Sequence, residues 1–156
     1  MKINTEHITK ENFQKFGKVV TYPEGEPTSQ AGDYKFWSDI ASYYIDGETE
    51  IGICTVFRQP KREITGMERH VDTPEILIPI DAPFILPLLL EGNPEEEAES
   101  FLVNAGEAVV INKGVWHGAC LPFKVDKSSY FVIFRRRTPY EDVEKKDVGT
   151  IEITEE

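Results

Sequence analysis

The chain has 156 residues, 40% of them hydrophobic, with two cysteines and a formal net charge of −11. That length and apolar content suit one domain with its own core rather than a disulfide-stapled scaffold, and the negative mean field disfavours phosphate backbones and anionic lipid surfaces as partners. Residues Met1 to Lys10 contain no apolar leader, and no run approaches the roughly 18 apolar residues of a membrane span, so the expectation is a cytoplasmic protein that touches neither membrane nor nucleic acid.

Taken in chain order, the first signal is Thr9, a cap for a short helix from Lys10 to Phe16 that Gly17 would close in a left-handed conformation. Strands follow at Val19 to Tyr22, Tyr34 to Ile40, Tyr43 to Ile45, Ile51 to Arg58, Glu75 to Pro79, Phe84 to Leu90, Ala108 to Ile111 and Tyr130 to Arg135, all rich in β-branched and aromatic residues. Turn residues separate them at Pro23 to Gly32, Asp46-Gly47, Gly92-Asn93-Pro94, Lys113-Gly114 and Leu121 to Ser128. This spacing predicts an all-β antiparallel barrel or sandwich with one short N-terminal helix. The acidic stretch Glu95, Glu96, Glu97 and Glu99 reads as a solvated turn into a short helix. Residues 1–156 are read as a single domain, with a charged, less regular tail from about residue 139 where apolar periodicity fades. Cys54 and Cys120 are expected as buried, reduced thiols.

Only three histidines occur, and two fall in patterned segments: Gly66-x-Glu68-x-His70-x4-Glu75, and Gly106-x5-Asn112-x-Gly114-x2-His117. Side chains two apart on a strand share a face, so Glu68 and His70 point together while Arg69 points away. Thr73-Pro74 supplies a bend that could re-aim Glu75 inward. Two imidazoles with one or two carboxylates form a nitrogen and oxygen donor set suited to Mn, Fe, Ni or Zn, so His70, Glu75 and His117 are the candidate ligands of a divalent metal ion. By the same alternation Trp116 faces away from His117 and is read as structural, packing beneath the barrel or at a subunit contact.

This grammar resembles the two cupin motifs, in which a His-x-His-x3-4-Glu segment and a later Pro-x-Gly-x2-His segment hold one metal inside a double-stranded β-helix; Glu68 stands in place of the first His and Asn112 in place of the Pro. The segments Glu68-Arg69-His70, Ile76-Leu77-Ile78-Pro79 and Gly114-Val115-Trp116-His117, preceded by Phe13-x2-Phe16-Gly17-x-Val19-Val20, are similar to those of the ureidoglycolate lyase family. The resemblance implies a cupin-type barrel, usually a homodimer, that splits ureidoglycolate into glyoxylate and urea with a divalent metal as cofactor. Two positions depart from the family pattern: Glu75 where Gln is usual, and Gly118 where a second His commonly follows.

Ureidoglycolate carries a hydroxyl, a carboxylate and a ureido nitrogen on one carbon, and cleavage needs the hydroxyl deprotonated while that nitrogen is protonated. His70 and His117 would act with the metal at the hydroxyl, Glu68 would carry the proton to the departing urea, and Arg58 would bind the substrate carboxylate through its guanidinium fork. Two other readings stand beside this one: a different small-molecule cupin enzyme acting on a sugar acid, and a metabolite-binding cupin without catalysis.

Overall fold

The computed structural model describes residues 1–155. The chain runs through β1 (Lys2–Ile3), β2 (Thr5–His7), α1 (Lys10–Phe13), β3 (Gly17–Val20), β4 (Ser29–Ala31), β5 (Tyr34–Phe36), β6 (Thr49–Phe57), β7 (Glu63–Arg69) and β8 (Glu75–Pro79). It continues through β9 (Phe84–Leu89), a 3₁₀ turn at Glu95–Glu97, β10 (Glu99–Val103), β11 (Ala108–Ile111), β12 (Trp116–His117), β13 (Leu121–Pro122), β14 (Lys127–Arg135), α2 (Thr138–Glu141) and β15 (Glu144–Ile153). An eight-stranded sheet has the order β1-β15-β7-β12-β9-β10-β2, with β13 also on β9, and a five-stranded sheet has the order β3-β11-β8-β14-β6. The fold is an all-β, cupin-type barrel in which these two sheets face each other.

The main core lies between the sheets, where Phe13, Phe16, Leu77, Phe84, Leu86 and Phe101 are buried together. On β9, Phe84, Leu86 and Leu88 enter this core while Ile85 and Leu89 pack with Ile64, Met67 and Trp116 in a second cluster on the other face. A strand buried on both faces reads as a continuous apolar run, which is why Phe-Ile-Leu-Pro-Leu-Leu lacks alternation. The N-terminal helix forms as expected, but more briefly: Thr9 and Asn12 make a reciprocal capping box. Gly17 does not cap it. It opens β3 with φ 159°, and a Cβ there would stand 1.8 Å from the carbonyl oxygen of Val110, so close backbone approach explains the glycine.

The C-terminal residues correct the expectation of an irregular tail from about residue 139. After α2 they form β15, a ten-residue strand antiparallel to β7, with Val148, Ile151 and Ile153 buried. The register shifts between Asp147 and Ile151, where Gly149 has φ +66°. That bulge interrupts the period-two pattern and hides the strand from a periodicity argument. The Tyr43 to Ile45 segment is not a strand, and Tyr34–Phe36 forms only a small hairpin with Ser29–Ala31. Cys120 is buried, Cys54 is half-buried and both are free thiols. Among the described residues no helix is long and apolar enough to cross a membrane.

Candidate active site

A cavity of about 550 Å³ opens between the sheets, walled on one side by Val56, Leu77, Tyr130 and Val132 and on the other by Glu68, His117 and Lys145. Its polar wall follows from register. His117 on β12 stands opposite Glu68 on β7, and Glu68 stands opposite Lys145 on β15, so the three form one row across adjacent strands. His70 follows directly on β7, buried at 5% exposure, and Glu68 is half-buried.

Glu75 reaches the cluster from the opposing sheet. Residues 71–74 carry the chain from β7 to β8, and Thr73 fixes this crossing: its hydroxyl donates to the carbonyl oxygen of Pro74 at 2.8 Å and accepts from the amide of Arg135 at 3.1 Å. Glu75 then opens β8, with Oε2 3.3 Å from Nε2 of His70 and Oε1 3.4 Å from Nε2 of His117. These contacts become ion pairs only when the rings are protonated, and the Nε2 atoms of both histidines are buried without an aligned hydrogen bond. One donor atom each from Glu68, His70 and His117 also lie within 4.8 Å of one another.

The imidazole of His70 is held from behind. Its Nδ1–H donates to the carbonyl oxygen of Asp142 at 2.8 Å, and because a carbonyl only accepts, the neutral ring presents its Nε2 lone pair to the cluster. Asp142 is itself fixed: Oδ1 and Oδ2 accept from the amides of Val71 and Asp72, both at 2.9 Å. The ring also packs edge-on to Phe134, 5.5 Å between centroids. Burial would lower the His70 pKa, but Glu75, the Asp142 carbonyl and Glu68 outweigh it and hold the pKa above its ordinary value. For Glu75, burial would raise the pKa, and the facing His117 and His70 bring it below the usual carboxylate value instead.

The structure thus brings Glu68, His70, Glu75 and His117 together. Arg58 is elsewhere: it lies just past β6, and its Nη1 pairs with Glu155 at 3.0 Å, outside the cavity. The cations that line the cavity are Lys145 and Lys146, on the strand that sequence reasoning took for an irregular tail. Asp142 was missed for the same reason. Trp116 is turned away from the cavity and buried within its own chain, its indole N–H donating to Glu91 at 2.6 Å beneath the guanidinium of Arg69. Gly118 has a local reason: a Cβ there would stand 2.9 Å from the terminal methyl of Ile64 and 3.3 Å from Pro87.

An antiparallel barrel with a histidine and carboxylate cluster in its cavity defines a cupin-type protein. Residues 1–154 match the family model described as ureidoglycolate lyase, and the chain belongs to that family. Among solved structures it is similar to oxalate decarboxylase from Bacillus subtilis, at 15% identity and TM-score 0.45 over 57% of this chain and 22% of that one. It is also similar to RmlC from Streptococcus suis, solved with dTDP-D-xylose, at 14% identity and TM-score 0.42 over 56% of this chain and 44% of that one. The vicilin of Solanum melongena aligns at 7% identity and TM-score 0.46 over 64% of this chain and 26% of that one. No curated protein matches the sequence.

Proposed function

We propose that the chain cleaves ureidoglycolate into glyoxylate and urea in the cavity beside Glu68, His70, Glu75 and His117. The observation that carries this reading is the convergence, in a member of this family, of two carboxylates with two buried imidazole nitrogens that lack hydrogen-bond partners, Glu68, Glu75 and His117 lining a cavity open to a small molecule. In the reaction the substrate hydroxyl loses its proton, its oxygen becomes the carbonyl of glyoxylate, the C–N bond breaks, and the nitrogen leaves with the electron pair and gains a proton as urea. In this reading Glu68 accepts the hydroxyl proton on a carboxylate oxygen and returns it to that nitrogen, so no net proton is consumed. His117 and His70 fix the hydroxyl end, with His70 oriented by the Asp142 carbonyl.

The donor set fits a divalent cation, held by His70, Glu75 and His117 with Glu68 close enough to join them. Bound there, the ion would lower the pKa of the substrate hydroxyl and offset its negative charge. Under this reading the cofactor is Mn, Fe, Ni or Zn, the partner is a small carboxylic acid, and the protein acts in the cytoplasm as a homodimer.

Glyoxylate and urea released in equal amounts from ureidoglycolate by purified protein, beside elemental analysis of the same sample, test the proposal. No release of either product from metal-replete protein overturns it.

A further inference from the structure

We infer that Lys145 captures the carboxylate of the substrate, an assignment that rests on the reading of the cavity as a site for a small hydroxy acid derivative. The cavity needs such a group. Glu68 and Glu75 place two carboxylates on its wall, and the chain as a whole carries a net charge of −11, so an anionic ligand meets repulsion from both. Arg58 is paired with Glu155 outside the cavity. Of the two lysines at the cavity, Lys146 turns its ammonium over the Trp116 ring, 4.9 Å from the centroid, and stands opposite Met67 in the register of β7.

Lys145 is one residue earlier, so its side chain takes the opposite face, opposite Glu68 and in the row that ends at His117. It is exposed at the cavity mouth and has no ion-pair partner among the described residues. A flexible ammonium stem rooted two strand spacings from His117, about 10 Å along the sheet, reaches back over the cavity. The substrate then lies along the row, with its carboxylate at Lys145 and its hydroxyl at the histidines, and the carbon between them faces Glu68. This also gives the bulge at Gly149 a role in the site. It lets the far half of β15 bury Ile151 and Ile153 while Lys145 keeps its inward register.

Lys145→Met and Lys145→Arg, compared with the unaltered protein, test the assignment through two readouts. One is steady-state turnover of ureidoglycolate; the other is calorimetric binding of glycolate, an unreactive hydroxy acid, which requires no catalysis. Lys145→Met should lower kcat/KM and glycolate affinity roughly 10- to 100-fold, chiefly through KM, the loss typical of a charge-assisted hydrogen bond. Lys145→Arg should restore most of both. Equal glycolate affinity in Lys145→Met and the unaltered protein, or no glycolate binding by either, overturns the role of Lys145. Failure of the unaltered protein to turn over ureidoglycolate while it binds glycolate in a Lys145-dependent way overturns the proposed reaction and leaves the carboxylate site standing.

Discussion

The imidazole of His70 and the main chain of Asp142 are joined by an Nδ1–H···O bond of 2.8 Å, and the Asp142 carboxylate holds the amides of Val71 and Asp72. One residue of the segment after α2 thereby fixes both the ring that meets Glu75 in the cluster and the start of the crossing that delivers Glu75.

Asp142→Ala should release that crossing. Losing two charge-assisted acceptor contacts to part-buried amides should cost about 1–3 kcal/mol of stability; the main-chain carbonyl that holds His70 is retained, and loosening the crossing that delivers Glu75 should weaken divalent-metal binding about 10- to 100-fold. Asp142→Asn keeps one acceptor oxygen and should recover part of each. Urea unfolding and a metal titration of both variants measure the two effects, and an Asp142→Ala protein with native metal affinity would separate Asp142 from the site.

Glu75→Gln removes one charge at nearly constant shape. Metal affinity should fall at least ~10-fold while the fold persists, because the carboxylate contacts both imidazoles from the opposing sheet. A divalent-metal titration with circular dichroism as the fold control decides this. Equal affinity in the two proteins would remove Glu75 from the ligand set.

With metal withheld by a chelator, the cluster predicts a two-sided pH profile of stability. His70 has a folded pKa above its ordinary 6.5, so its contribution is complete below that pH and is lost as pH rises through the folded value. Glu75 has a folded pKa below its ordinary 4.5, so its contribution is complete above that pH and is lost as pH falls through the folded value. Both are present together between pH 4.5 and 6.5. Thermal melts across pH in chelator should peak in that window, and Glu75→Gln should flatten both limbs, since each histidine contact runs through Glu75.

The edge strand β6 predicts self-association. Ile51, Ile53 and Phe57 alternate on its outer face at 64%, 65% and 63% exposure, beside Phe131 and Ile133 of β14. A long apolar edge of this kind is a ready pairing surface. Sedimentation equilibrium should give a dimer for the unaltered chain and a monomer for Ile53→Lys, with the far-ultraviolet spectrum unchanged. A monomer in both would place the outer face of β6 outside any subunit contact.

How much was legible in the sequence depends on what each residue's surroundings do to period two. Glu75–Pro79 and Ala108–Ile111 were read to the residue, because β8 and β11 are regular and central. Spacing alone puts Glu68 and His70 on one face, and the resemblance of the two segments to the cupin motifs adds His117; the contacts that join them, His117 opposite Glu68 and the Gly114 amide on the His70 carbonyl, are long-range. Glu144–Ile153 could not be read this way. Its outward half is charged and its inward half is shifted by the bulge at Gly149, so Lys145 and the nearby Asp142 stayed invisible. Arg58 looked suitable by type and strand position, but no local pattern announces the distant Glu155 that occupies it.

The parallel pairing of Lys2 with Glu152 and Ile3 with Ile153 puts the earliest and latest strands side by side, with β15 also sealing the free edge of β7. A chain emerging from the ribosome therefore has its histidines, its carboxylates and most of its hydrophobic core in hand well before the wall bearing Lys145 exists. Until residues 144–153 arrive, β7 offers an open hydrogen-bonding edge next to Glu68. Completion of the cavity is thus tied to the arrival of β15, and a chain lacking that strand would carry an unsealed edge at β7.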